Sequence, residues 1–170
     1  IFGYLMKELK SYAAKTHQGP HLQVNEDDHS VDLVNKLYMV FDGFGGSNVG
    51  DKAVEQLKTS VNSLYTKIGG DPDSTMPFYY AHKYLLEGNA LINAMYYAHE
   101  SIKEKNNQKE MSQRGGASGI CVSQAEHVLT FVGTGNCLAL LYRNGTLFHI
   151  LIPDNNQFYS PDPSYDHFST

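Results

Sequence analysis

The chain has 170 residues, 41% hydrophobic and 18% charged, which suits one globular domain and excludes disorder as a whole-chain answer. Thirteen Lys and Arg against 18 Asp and Glu leave a net charge of -5, with guanidinium only at Arg114 and Arg143, so a nucleic-acid partner held by a basic face is not expected. No apolar run approaches the roughly 18 residues needed to cross a bilayer and no charged leader opens the chain, which leads us to expect a soluble, cytoplasmic protein without a membrane partner.

Taken in chain order, the first 16 residues are open between two readings: LMKELK suits the start of a short helix and SYAAKT a strand. The acidic run Asn25-Glu26-Asp27-Asp28 follows, and taken alone it reads as a solvated turn. Leu37 to Phe41 is continuously apolar and ends at Asp42-Gly43, as expected of a buried strand delivering a loop. Val49, Ala53, Leu57, Val61, Leu64 and Ile68 then recur at helical spacing, with Asn48 and Asp51 as a capping pair and Gly69-Gly70 as the stop. A second helix is expected from about Tyr79 to Lys105, with Leu85, Ile92, Met95, Tyr96, His99 and Ile102 on one side and Gly88 as its weak point. From Ala117 the runs SGICV, VLTFVG, CLALLYR and TLFHILI read as a meander of antiparallel strands, with Asn144-Gly145 as a type I′ hairpin turn. The whole predicts an α+β fold, one domain in which helices pack on the outer faces of antiparallel sheets. Cys121 and Cys137 fall in no CxxC pattern and read as buried free thiols of a reducing compartment. The start at Ile1 and the polar tail are what a piece of a longer protein would show.

Chemistry concentrates where the acids do. Hard divalent cations take oxygen ligands, and carboxylates at strand ends beside an exposed carbonyl supply them; two such ions can acidify a shared water into a nucleophile. Other candidates carry less. His17 and His21 are four apart, but Gly19-Pro20 between them prevents a shared helix face. His99 reads as a hydrogen-bonded core residue and Phe78, Tyr79, Tyr80 and Tyr84 as helix packing. GGSNVG lacks the Lys-Ser/Thr of a nucleotide-binding loop.

The order KTHQGPHLQVNEDD, LYMVFDGFGGSNVGDKAVEQL, RGGASGICVS and VLTFVGTGNCLALLYRNGTL resembles the metal-dependent serine/threonine protein phosphatases, the PPM or type 2C family, from about Ala13 to Asp154. The resemblance implies an αββα sandwich, incomplete here, with residues 1–170 as the N-terminal portion of one such domain. It also implies two Mn²⁺ or Mg²⁺ ions, a phosphorylated protein as partner, and hydrolysis of phosphoserine and phosphothreonine by a metal-bound hydroxide. Asp42 matches the bridging metal carboxylate and Gly43 the carbonyl ligand. Glu26 matches the acid that reaches a metal directly or through water, and Asp27 the neighbour that orients water. Phe44 stands where animal relatives carry His and bacterial ones often Met, which points to a bacterial relative. Gly115 to Ser118 matches a structural run of small residues.

Three departures qualify these implications. Asn136 replaces an Asp of an additional metal site, which the loss of charge weakens. The Arg that contacts substrate phosphate aligns near Leu22, and His21 or Lys15 offers no bidentate fork in its place. Two further Asp ligands have no counterpart, since Asp154, Asp162 and Asp166 lie in unrelated settings. The expectation is an active full-length parent and an inactive isolated chain. The alternative is a catalytically impaired pseudophosphatase that acts as a binding or regulatory module.

Overall fold

The computed structural model describes residues 8–45, 49–69, 71, 73 and 75–153. Strand β1 (Asp27–Asp32) pairs antiparallel with β2 (Leu37–Gly45), β2 with β3 (Gly115–Ala125), and β3 with β4 (Val128–Thr134), giving a four-stranded sheet in that order. Helices α1 (Gly50–Gly69) and α2 (Leu86–Asn107) come between β2 and β3 in the chain and pack together on the sheet. Strands β5 (Ala139–Arg143) and β6 (Thr146–Leu151) form a separate two-stranded sheet.

Alternation along the strands decides which face carries the helices. In β2, Leu37, Met39 and Phe41 are buried while Val40 between them is 58% exposed. Met39 lies opposite Cys121, and Cys121 opposite Val132, so one buried row crosses three strands. Val54, Leu57, Val61, Tyr65 and Ile68 of α1 close on this row, together with Leu91 and Met95 of α2. The buried stripe of α2 is mostly small: Ala90, Ala94 and Ala98 have no exposed surface, so the helix backbone approaches its neighbours closely. That stripe is rotated from the expected one, in which Leu85 now lies exposed before the helix and Ile92 only half-buried.

Several expectations need correction. The second helix begins at Leu86 rather than Tyr79, so Phe78, Tyr79, Tyr80 and Tyr84 belong to an irregular strap before it, from which the Phe78 ring packs on Tyr96 of α2. Two fully buried side chains hold it there. Asn89 Oδ1 accepts the Ala81 N–H at 2.8 Å, and its Nδ2 donates to the carbonyls of Ala81, Tyr84 and Leu85 at 3.0, 3.2 and 3.1 Å. Asn93 Oδ1 accepts the N–H groups of Phe78 and Tyr79 at 2.9 and 3.1 Å, and its Nδ2 donates to the Tyr79 carbonyl at 2.7 Å. These bonds give the strap backbone the partners a helix would otherwise have given it. Gly88 does not break α2; a Cβ there would stand 3.1 Å from the Thr130 side chain, so glycine lets the first turn approach β4.

The meander is interrupted as well. β4 and β5 do not pair, because Gly135 turns the chain at φ 76° and sends the β5–β6 hairpin across to the other face. There Leu151 covers Ile120 through the gap at Gly133, where a Cβ would stand 2.9 Å from Leu151 Cδ1. The Asn144-Gly145 turn has the positive φ values expected, 52° and 79°. β1 itself was hidden in the acidic run, and β2 continues through Asp42-Gly43 to Gly45 instead of ending there. Residues 8–26 carry no helix or strand, and the Asn48 cap and Gly70 lie outside the described residues. Both cysteines are free, Cys121 buried and Cys137 only half-buried. His99 is half-buried, its ring 6.4 Å from that of Tyr96. No helix among the described residues is long and apolar enough to cross a membrane.

Truncating Asn93 to Ala strands the Phe78 and Tyr79 amides, so the variant should lose about 2–3 kcal/mol in denaturant unfolding, and those two amides should exchange with solvent markedly faster. Unchanged exchange at Phe78 and Tyr79 would mean that the strap is held by other contacts.

Candidate metal centre

The acidic run is divided by the pleat of β1. Asp28, on the helix face, forms an ion pair with Lys58 of α1. Burial pushes its carboxyl up, but the Lys58 ammonium and the His29 N–H outweigh burial and hold it below the ordinary aspartate range. Asp32 closes the β1–β2 turn by accepting the N–H groups of Val34 and Asn35, both at 2.9 Å. Glu26, just before β1, is 7% exposed, and its carboxylate lies against the first residue of α1: a Cβ on Gly50 would stand 2.7 Å from Glu26 Oε2. The N-terminus of a helix favours such an anion.

Asp27 faces the other way. The Gly43 N–H donates to the Glu26 carbonyl at 3.2 Å, which makes Glu26 and Gly43 a hydrogen-bonded position of the ladder. The next pair, Asp27 opposite Asp42, therefore falls at a non-hydrogen-bonded position, where facing side chains come closest, with Cβ atoms about 4.5–5.5 Å apart. Partial burial, then the charge of Asp27 and a hydrogen bond with it, hold the Asp42 carboxyl above the ordinary aspartate range. Asn25 fixes the entry to this pair: its Oδ1 accepts the Asp27 N–H at 3.2 Å while its Nδ2 donates to Thr16 Oγ1 at 2.9 Å.

A third strand end reaches the same place. Asp42 is opposite Ser118 of β3, and Ser118 Oγ accepts the N–H of Asn136 at 3.0 Å, which anchors the turn after β4 beside the pair. Asn136 is exposed there. Its neighbour Cys137 lies in the field of the carboxylates: burial, then Asp42 and Asp27, push its thiol up to about 11. Sequence reasoning missed Cys137 and Ser118 as neighbours of the centre; the one available signal was that Cys137 adjoins Asn136 in a segment already singled out. Phe44 is exposed, and its ring lies over Gly116, where a Cβ would stand 2.6 Å from Phe44 Cζ.

The structure thus brings together Asp27, Asp42, Gly43, Asn136 and Cys137, and keeps the Glu26 carboxylate at the α1 terminus. Two facing carboxylates, one with a raised pKa, fit a hard divalent cation that would relieve their repulsion. They do not complete its shell, since no group of three or more His, Cys, Asp or Glu among the described residues is placed to hold a metal ion. The other candidates stay apart. His17 Nδ1 accepts the Gly19 N–H at 2.9 Å within its own turn, and Leu22, His21 and Lys15 are exposed on an irregular segment.

No protein-family model matches the sequence, and no curated protein does. Solved structures do match the fold. The serine/threonine phosphatase PstP/Ppp of Mycobacterium tuberculosis is 22% identical, with a TM-score of 0.63 over 85% of this chain and 55% of its own. The catalytic domain of PstP in complex with two manganese ions gives 22%, 0.64, 85% and 56%. The PPM Ser-Thr phosphatase MsPP of Mycobacterium smegmatis, in complex with cacodylate, gives 20%, 0.63, 85% and 54%. The chain has the α+β fold of PPM-type phosphatases and spans little more than half the length of these structures.

A group whose pKa is raised on folding lends stability at acid pH that is lost as pH rises through its folded value. For Asp42 that loss sets in above the ordinary aspartate value of 3.8, so the ionised Asp27–Asp42 pair costs stability at neutral pH. Asp27→Asn should move the Asp42 titration, followed by carboxyl NMR, down toward the ordinary range. It should also raise stability at pH 7 by about 0.5 kcal/mol, a figure already reduced for solvent screening, and by nearly nothing well below the Asp42 midpoint. An Asp42 midpoint that does not move would show that the two carboxylates do not face each other.

Proposed function

We propose that this chain is the N-terminal portion of a PPM-type protein phosphatase domain that hydrolyses phosphoserine and phosphothreonine in proteins with Mn²⁺ or Mg²⁺. The observation that carries the reading is the Asp27–Asp42 pair beside Gly43, on a fold shared with serine/threonine phosphatases. Asp42 and the Gly43 carbonyl would hold the cation, and Glu26 would reach it directly or through water. When bound, the cation supplies a Lewis-acid centre that makes water nucleophilic near neutral pH. Asp27, which faces Asp42 across the ladder, would accept a hydrogen bond from attacking water and orient it toward phosphorus. Phe44 contributes no proton here, so protonation of the leaving serine or threonine oxygen falls to water or to another part of the domain.

A second reading is supported by Asn136, exposed on its turn without a carboxylate, and by Leu22, 47% exposed where the resemblance implies a phosphate-binding Arg. Both favour a binding or regulatory module of the same fold with little turnover.

Titration of the chain with Mn²⁺ should give a dissociation constant weaker than about 10⁻⁶ M, as expected of a site short of charged ligands. Asp42→Ala should abolish that binding while leaving unfolding in denaturant within about 0.5 kcal/mol, since Asp42 is exposed. Unchanged Mn²⁺ affinity in the variant would remove Asp42 from the site.

In the full-length parent, turnover of a phosphopeptide against Mn²⁺ concentration separates the two readings, with Asp42→Ala as the blank. The enzyme should exceed the blank, and Asn136→Asp should raise its turnover at limiting Mn²⁺ but not at saturation. Turnover at the level of the blank throughout leaves the binding module.

A further inference from the structure

We propose that the cavity between the 78–85 strap and α2 is a binding site for a small planar aromatic carboxylate. Its volume, about 470 Å³, lies in the range of small-molecule pockets, and it opens to solvent beside Phe78 and Tyr79, both about half exposed. Val132, 1% exposed, and the half-buried Ile92 form an apolar floor. The walls are aromatic: the rings of Phe78 and Tyr96 stand 4.9 Å apart at 53°, and Tyr79 and Tyr84 complete them. Flat, polarisable walls of this kind favour an aromatic ring over an aliphatic chain of similar size.

Charge selects the rest of the ligand. Among the described residues Lys83 is the one charged side chain lining the cavity, its Nζ 4.6 Å from the centroid of the Tyr84 ring, and no described carboxylate lines the cavity beside it. A ligand carboxylate there gains a charge-assisted hydrogen bond. The neighbouring cavity of about 390 Å³ on the far side of Phe78 lacks this bias, because Glu100 and Glu104 line it together with Lys103. The strap is fixed by the bonds to Asn89 and Asn93 before any ligand arrives, so binding need not meet the cost of ordering it. None of these residues belongs to the Asp27–Asp42 centre, so the inference is independent of the phosphatase reading.

The test is a methyl NMR titration of the full chain with indole-3-acetate, and with tryptamine, which has the same ring and an ammonium in place of the carboxylate. Indole-3-acetate should shift the Ile92 and Val132 methyl signals saturably, and tryptamine should bind about tenfold more weakly or worse. Lys83→Gln should weaken indole-3-acetate by about the same factor while leaving tryptamine no weaker, and Ile92→Trp, which fills the cavity, should abolish both. Equal binding of the two ligands, an unchanged affinity in Lys83→Gln, or no shift at these methyls at millimolar ligand would overturn the proposal. If Ile92→Trp fails to fold, Lys83→Gln decides alone, because Lys83 is exposed and its loss opens no cavity.

Discussion

Around Gly43 the chain admits no side chain. A Cβ there would collide with the Glu26 carbonyl and stand 2.8 Å from the carbonyl oxygen of Gly50, so β1, β2 and α1 close on one another only because glycine occupies the junction. Much follows from that contact. It fixes the Gly43–Glu26 hydrogen bond, the bond fixes the register of β1 on β2, and the register sets Asp27 opposite Asp42. A slip of β1 by one residue would turn Asp27 to the helix face and set Glu26 or Asp28 opposite Asp42 in its place. Gly50 makes the reciprocal allowance, leaving room for the Glu26 carboxylate.

One short acidic run therefore does three jobs. Glu26 meets the N-terminus of α1, Asp28 binds Lys58 on the same helix, and Asp27 alone of the three is left to face Asp42. The first two contacts tie β1 to α1 and hold the helix over the sheet. The third is repulsive in the absence of a cation. The repulsive pair is thus held in place by contacts that β1 makes on its other face.

The two faces of the sheet differ in completeness. On one, α1 and α2 bury Leu37, Met39, Phe41, Cys121 and Val132. On the other, the β5–β6 hairpin covers Ile120 through Leu151 but leaves Val40 and Leu129 about half exposed. Phosphatases of this fold run to nearly twice the length spanned here. The strap across α2 is a different device: two buried amides replace a helical turn, and the strap's Phe78, Tyr79 and Tyr84 line a cavity together with Tyr96 of α2.

Local pattern sufficed for much of this molecule. The period of Ala53, Leu57, Val61 and Ile68 specified α1, the Asn144-Gly145 pair specified its hairpin, and the motif order singled out two carboxylates, Asp27 and Asp42, that lie opposite each other, because each rests on neighbours in the chain or on a motif of fixed order. Tertiary structure decided the rest. Strand β1 is too polar to announce itself, and its identity comes from pairing with β2. The start of α2 depends on Asn89 and Asn93 reaching back to the strap, a competition between side-chain and main-chain partners that propensity does not weigh. The approach of Cys137 and Asn136 to Asp42 depends on Ser118, far away in sequence and opposite Asp42 in the sheet. Residue types and spacing determined which groups this protein could use; only the register and the turns determined which of them meet, because contacts between distant segments are fixed by packing and not by local sequence.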